Sequence, residues 1–173
     1  RGLRGVEFIV SDDHAGLRAA RRAVFGGAKW QRCQFHLAQN ALHHAPNAQI
    51  RASIGSELRL VWNQPTLPKA QAVLAELVAS YQAKAPKLAA WLEHNVPEGL
   101  AVFCLPESHQ KRMRTSNPIE RSIQQEVKRR TVKVRVFPSE DSLLRLVSAI
   151  LVEIDEKWAG QNQPYIKWDH QNA

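Results

Sequence analysis

The chain has 173 residues, 44% of them hydrophobic, with 24 Lys and Arg against 16 Asp and Glu and a net charge of +8. That length predicts one domain, or one domain with an insertion, with enough apolar residues for a core. No apolar run reaches membrane-spanning length, nothing reads as a signal peptide, and Cys33 and Cys104 are too few for a disulfide framework, so a reducing cytoplasm is expected.

Val6–Val10 reads as a buried strand that runs into Ser11, Asp12 and Asp13. A helix follows, with Leu17, Ala20, Val24 and Phe25 on one face, Arg18, Arg21 and Arg22 on the other, and Gly26-Gly27 as its stop. "AKWQRCQF" reads as a second strand and "HLAQNALHHA" as a helix, an order that suits a parallel β-α-β unit. From Ala48 to about Glu98 the periodicity is helical throughout, with a restart at Thr66 and another at Pro86. Trp62 and Trp91 are expected in the core of these helices. "VPEGLAVFCLPES" returns the chain through a short helical turn to a basic loop. Helices are then predicted after Asn117 and after Ser139, the second with a wide apolar stripe from Leu143 to Trp158. Beyond Gly160 the tail is expected to fray unless Tyr165, Ile166 and Trp168 tie it down.

The chemistry gathers in two places. From Lys111 to Arg135 there are nine basic residues, opposed only by Glu120 and Glu126. Such a cluster suits a nucleic-acid backbone, although a solvated basic face has the same composition. Asn117 suits an N-cap, Pro118 the first helical position, and Glu120 the third, a capping-box pattern. Glu120 therefore has three readings: a cap, a charge balance, or a metal ligand. The second place is the end of the first strand. Asp12 there is a candidate ligand for a hard cation, while Asp13 points the other way and suits a helix cap. Cys33 and His36 form a C-x-x-H pair. A closed zinc site would need Cys104 and His109 to fold back onto it, and a buried thiol beside a hydrogen-bonded histidine is the plainer reading.

The blocks "VSDDHAGLRAA", "QRCQFHLAQN" and "RMRTSNPIERSIQQEVKRRTVKVRVFPSEDSLLRLVSAILVE" resemble, in order, the Mutator-type transposases of bacterial insertion sequences. The resemblance implies a DDE recombinase with a ribonuclease-H-like core, a helical insertion before the last acid, and cleavage and strand transfer of DNA with Mg²⁺ or Mn²⁺. It places the family's second catalytic aspartate on Asp12, its catalytic glutamate on Glu120 and its C-x-x-H signature on Cys33 and His36, with Asn117 and that pair supporting the site. Arg112, Arg114, Arg121, Lys128, Arg129 and Arg130 would then contact phosphates.

The expected class is α/β and predominantly helical. Residues 1–46 form a β-α-β part of the core, 47–106 a helical insertion, 107–160 the C-terminal helices with Glu120, and 161–173 a tail. Nothing matches the family's first aspartate, and Met113 is the sole methionine in a chain that begins with Arg1. The sequence is therefore expected to be the C-terminal part of a transposase, inactive alone, homo-oligomeric when complete, and nucleoid-associated in the cytoplasm. The alternative is a basic helical module that binds DNA without chemistry.

Overall fold

The computed structural model describes residues 4–161, so the expected anchors Tyr165, Ile166 and Trp168 lie outside the described residues. The chain divides into two compact units, Arg1–Ser116 and Asn117–Ala173. The described residues are mostly helical with one two-stranded parallel sheet, consistent with an α/β class.

In the first unit, β1 (Phe8–Ser11) pairs in parallel with β2 (Lys29–Arg32), with Phe8 opposite Lys29 and Ser11 opposite Arg32. The connection is α1 (Ala15–Val24). Asp13 does not cap this helix. His14 does, its Nδ1 accepting from the Gly16 N–H at 3.2 Å, because both Asp13 oxygens are engaged elsewhere, as described below. No residue of α1 is buried. Its apolar side, with Val6 and Ile9, lines an open trough of about 310 Å³, and Leu17 and Val24 remain 48% and 68% exposed.

The core lies instead among α2 (Gln34–His44), α3 (Ala48–Trp62), α4 (Leu67–Gln82) and α5 (Pro86–Asn95). Their inward positions recur at helical spacing: Leu37 and Ala41, Ile54 and Leu58, Ala70 and Leu74, Leu88 and Leu92 are all buried. Local chemistry sets the helix starts. The Asn47 side chain accepts from Ile50 N–H, Thr66 accepts from Lys69 N–H, and Pro86 occupies the first turn of α5. Trp62 is buried with this core, and half-buried Trp91 stacks on His44 with centroids 5.0 Å apart.

After α5 the chain makes two 3₁₀ turns, Val96–Gly99 and Ala101–Cys104, and a short α6 (Glu107–Gln110). One buried amide holds these turns to β2. Gln31 Nε2 donates to the Gly99 carbonyl at 2.7 Å, and Gln31 Oε1 accepts from Val102 N–H at 2.7 Å. Gly99 fits this contact because a Cβ would come within 2.6 Å of Leu37 Cδ1.

The second unit is a helical pair, α7 (Asn117–Val134) and α8 (Glu140–Ala159). Between them Arg135 takes φ +60°, the left-handed conformation that commonly ends a helix. Ser139 caps α8, accepting from Ser142 N–H at 3.2 Å. The predicted apolar stripe of α8 is only partly covered. Ile150 is buried, but Leu144, Leu151 and Trp158 are 54%, 42% and 40% exposed. Among the described residues no helix is long and apolar enough to cross a membrane.

Candidate functional site

β1 ends where two carboxylates diverge. Asp13 is held on both oxygens, Oδ1 by Arg18 Nε and Oδ2 by Arg32 Nη1 at 3.2 Å. Glu98 closes the circuit, accepting from Arg32 Nη1 at 2.9 Å and from Arg18 Nη2 at 3.1 Å. Arg32, whose side chain is 4% exposed, also reaches Asn95 Oδ1 at 2.9 Å. Asp13, foremost, and Glu98 raise the Arg18 pKa above its ordinary value despite partial burial. The Arg18 and Arg21 guanidiniums both lie 5.0 Å from the centre of the Trp30 ring, whose Nε1 donates to Ser11 Oγ at 2.9 Å.

Asp12 is different. Its Oδ1 is shielded from solvent and has no hydrogen-bond partner among the described residues. A buried carboxylate oxygen without a donor is costly, and such an oxygen is suited to a cation. Asp12 thus fits the part of one oxygen ligand to Mg²⁺ or Mn²⁺. Among the described residues no three His, Cys, Asp or Glu side chains converge as a metal site.

Cys33 follows β2, beside the end of β1, with its N–H bonded to Ser11 O at 2.8 Å. The thiol is buried and its Sγ lies 3.0 Å from Thr115 Oγ1. Burial pushes this thiol up, but the Thr115 hydroxyl, then the His36 backbone N–H, then Ser116 outweigh it and bring it down to about 7. A depressed acid stabilises the fold above its unfolded pKa, here near 9.0, and loses that contribution as pH falls through about 7. Unfolding free energy should therefore rise between pH 7 and pH 9. Chemical denaturation across that range should show the rise in the native chain and a flatter profile in Cys33→Ser.

His36 Nδ1 is buried without a hydrogen bond among the described residues, whereas Cys104 is exposed. The side chain that engages the Cys33 thiol at 3.0 Å is that of Thr115, not an imidazole or a second thiol.

The basic residues separate into two groups. Arg114 is half-buried, donates to Asn63 Oδ1 at 2.8 Å, and through its carbonyl accepts from Gln34 N–H at 3.0 Å. Burial lowers its pKa. In the second unit Arg129 grips Glu126 with two bonds of 2.8 Å, and Arg130 binds Glu153 at 2.6 Å. Glu126, held chiefly by Arg129, is pushed down to about 2. Arg112, Arg121 and Lys128 are exposed. Glu120 is half-buried in the first turn of α7, which begins at Asn117 itself, one residue before a capping Asn would place it. Arg121, Glu126, Arg130, Lys157 and Trp158 line a groove of about 620 Å³ along this helical pair.

Sequence reasoning did not find Arg18, Arg32 and Glu98 as parts of this constellation. The available signal was Arg32, a charged residue inside a strand pattern, which must find anions if it is buried.

Residues 1–161 match the family described as "Transposase, Mutator family". The transposase for insertion sequence element IS406 of Burkholderia multivorans is 46% identical over 158 residues, which cover 91% of this chain and 40% of that protein. The transposase for ISRM5 of Rhizobium meliloti is 42% identical over 98% of this chain and 42% of its own length. The transposase for IS256 in transposon Tn4001 of Staphylococcus aureus is 32% identical over 98% and 43%. The chain thus spans about two fifths of the length of these curated relatives. By the match across nearly its whole length, this chain belongs to the Mutator family of transposases.

Proposed function

We propose that this chain is the Asp12- and Glu120-bearing part of a ribonuclease-H-like catalytic region, which in the complete insertion-sequence transposase cuts and joins DNA with Mg²⁺ or Mn²⁺. The observation that carries this reading is the contrast between neighbours: Asp13 is fully bound by arginines, while Asp12 keeps a buried oxygen with no donor. A parallel strand pair with an acid just past its C-terminal end, and a strand β1 that pairs with β2 alone among the described residues, support the ribonuclease-H-like reading.

Asp12 and Glu120 would hold the cations. Bound there, such ions supply Lewis-acid stabilisation of the attacking and leaving oxygens of a phosphodiester. Thr115 is fastened to Cys33 beside the end of β1. Arg112, Arg121 and Lys128 bind DNA phosphates. Arg129 and Arg130 do so by exchanging their carboxylate partners, and Arg114 supports the loop that leads to them. Cys33, His36 and Asn117 brace the segment. The complete protein acts as a homo-oligomer on DNA in the bacterial cytoplasm, and the isolated chain, with two candidate ligands, does not cut.

A second reading, DNA binding without chemistry, is favoured by the exposed cations of the second unit. One experiment separates the two. A full-length transposase containing this region should cleave element-end DNA with Mg²⁺ and stop when EDTA is added. The chain alone should bind duplex DNA with an affinity that falls steeply with salt. Cleavage that survives EDTA defeats the catalytic reading. Salt-insensitive binding defeats the phosphate contacts.

A further inference from the structure

We propose that Asp13 and Glu98, joined through Arg18 and Arg32 in a closed charge ring, are positioning residues that aim the Asp12 carboxylate and cancel the guanidinium charge beside it. This rests on the metal reading of Asp12.

The ring joins four separate stretches: the residue after Asp12, α1, the last residue of β2, and the 3₁₀ turn that follows α5. Asp13 is covalently next to Asp12, so clamping both its oxygens fixes the backbone from which Asp12 projects. Asp12 itself is not a member of the ring, and its Oδ1 has no hydrogen-bond partner among the described residues. The ring holds two cations and two anions, so it is neutral. Without Glu98, the ring would keep two guanidiniums against Asp13 alone, a net positive charge close to the site that opposes a divalent cation there. Glu98 closes the helical layer against the strand ends. The ring therefore ties the insertion to the carboxylate that needs its support.

The test uses a full-length transposase carrying this region, with Mn²⁺ as the probe, its affinity read by electron paramagnetic resonance, and cleavage kinetics measured alongside. Asp12→Asn should abolish the Mn²⁺ site. Glu98→Gln, similar in size but uncharged, should raise the Mn²⁺ Kd about tenfold and lower kcat about tenfold, while KM for DNA stays within twofold. Tyr81→Phe removes the 2.6 Å bond to Glu57 within the helical layer and serves as a stability control. It should leave Mn²⁺ affinity unchanged. If Asp12→Asn removes the site but Glu98→Gln keeps native Kd and kcat, positioning by the ring is wrong. A Glu98→Gln loss that Tyr81→Phe reproduces at an equal drop in Tm also overturns it. If Asp12→Asn leaves Mn²⁺ binding intact, the metal reading itself fails, and the ring's role with it.

Discussion

In a full-length transposase carrying this region, Asp12→Asn lowers Mg²⁺-dependent strand cleavage by about three orders of magnitude, the scale on which removal of one electrostatic partner slows a charged transition state. The substitution is nearly isosteric. It keeps one oxygen but replaces the other with an amide nitrogen, which donates hydrogen bonds and cannot ligate a hard cation. Asp12 Oδ1 has no hydrogen-bond partner to lose, so the fold should tolerate the change. DNA affinity should stay within about twofold, because the proposed phosphate contacts are those of the arginines and lysines, not of Asp12. Gel-based cleavage and a binding titration on the same preparation measure both. Cleavage within tenfold of the native enzyme would remove Asp12 from the chemistry. Weakened DNA binding in parallel would mean that the substitution had disturbed the fold.

What was legible in the sequence was local. Thr66, Pro86 and Ser139 mark helix starts because a cap or a fixed φ acts within three residues of itself. The burial of Ile54, Leu58 and Leu88 follows from periodicity alone. The errors arise where distant residues decide. Asp13 reads as a cap because the sequence does not show Glu98, 80 residues beyond Arg18, completing a ring that claims it. His14, the residue just before α1 begins, takes the cap. Cys33 reads correctly as a buried thiol, but its partner Thr115 lies 82 positions away and carries no motif that points back. The α8 stripe reads as a wide apolar face, but the pattern does not say how much of that arc is covered, and Leu144 and Leu151 stay exposed.

The site also depends on a buried amide that has no chemistry of its own. Gln31→Leu should destabilise the 173-residue chain by about 2–5 kcal/mol. Gln31 is fully buried, and its side chain donates to the carbonyls of Gly99 and Arg32 and accepts from Val102 N–H. A leucine of similar volume fills the space but leaves the Val102 N–H, itself buried, without an acceptor. The Gly99 carbonyl keeps only its bond from Gln34, at 2.8 Å. Each buried group left unsatisfied costs about 1–3 kcal/mol. With a urea m-value near 2 kcal/mol/M for a chain of this size, the midpoint should move down by about 1–2.5 M. A shift below about 0.3 M would mean that these turns are held by packing and that the amide is incidental. Gln31→Glu separates the two roles of the side chain: it keeps an acceptor for Val102 but loses both donors and buries a charge, so it should be no milder than leucine. Because Gln31 lies between Trp30 and Arg32 on β2 and fastens the turn that carries Glu98, either change should also slacken the ring behind Asp12. In the full-length enzyme, cleavage should then fall at temperatures well below the unfolding transition.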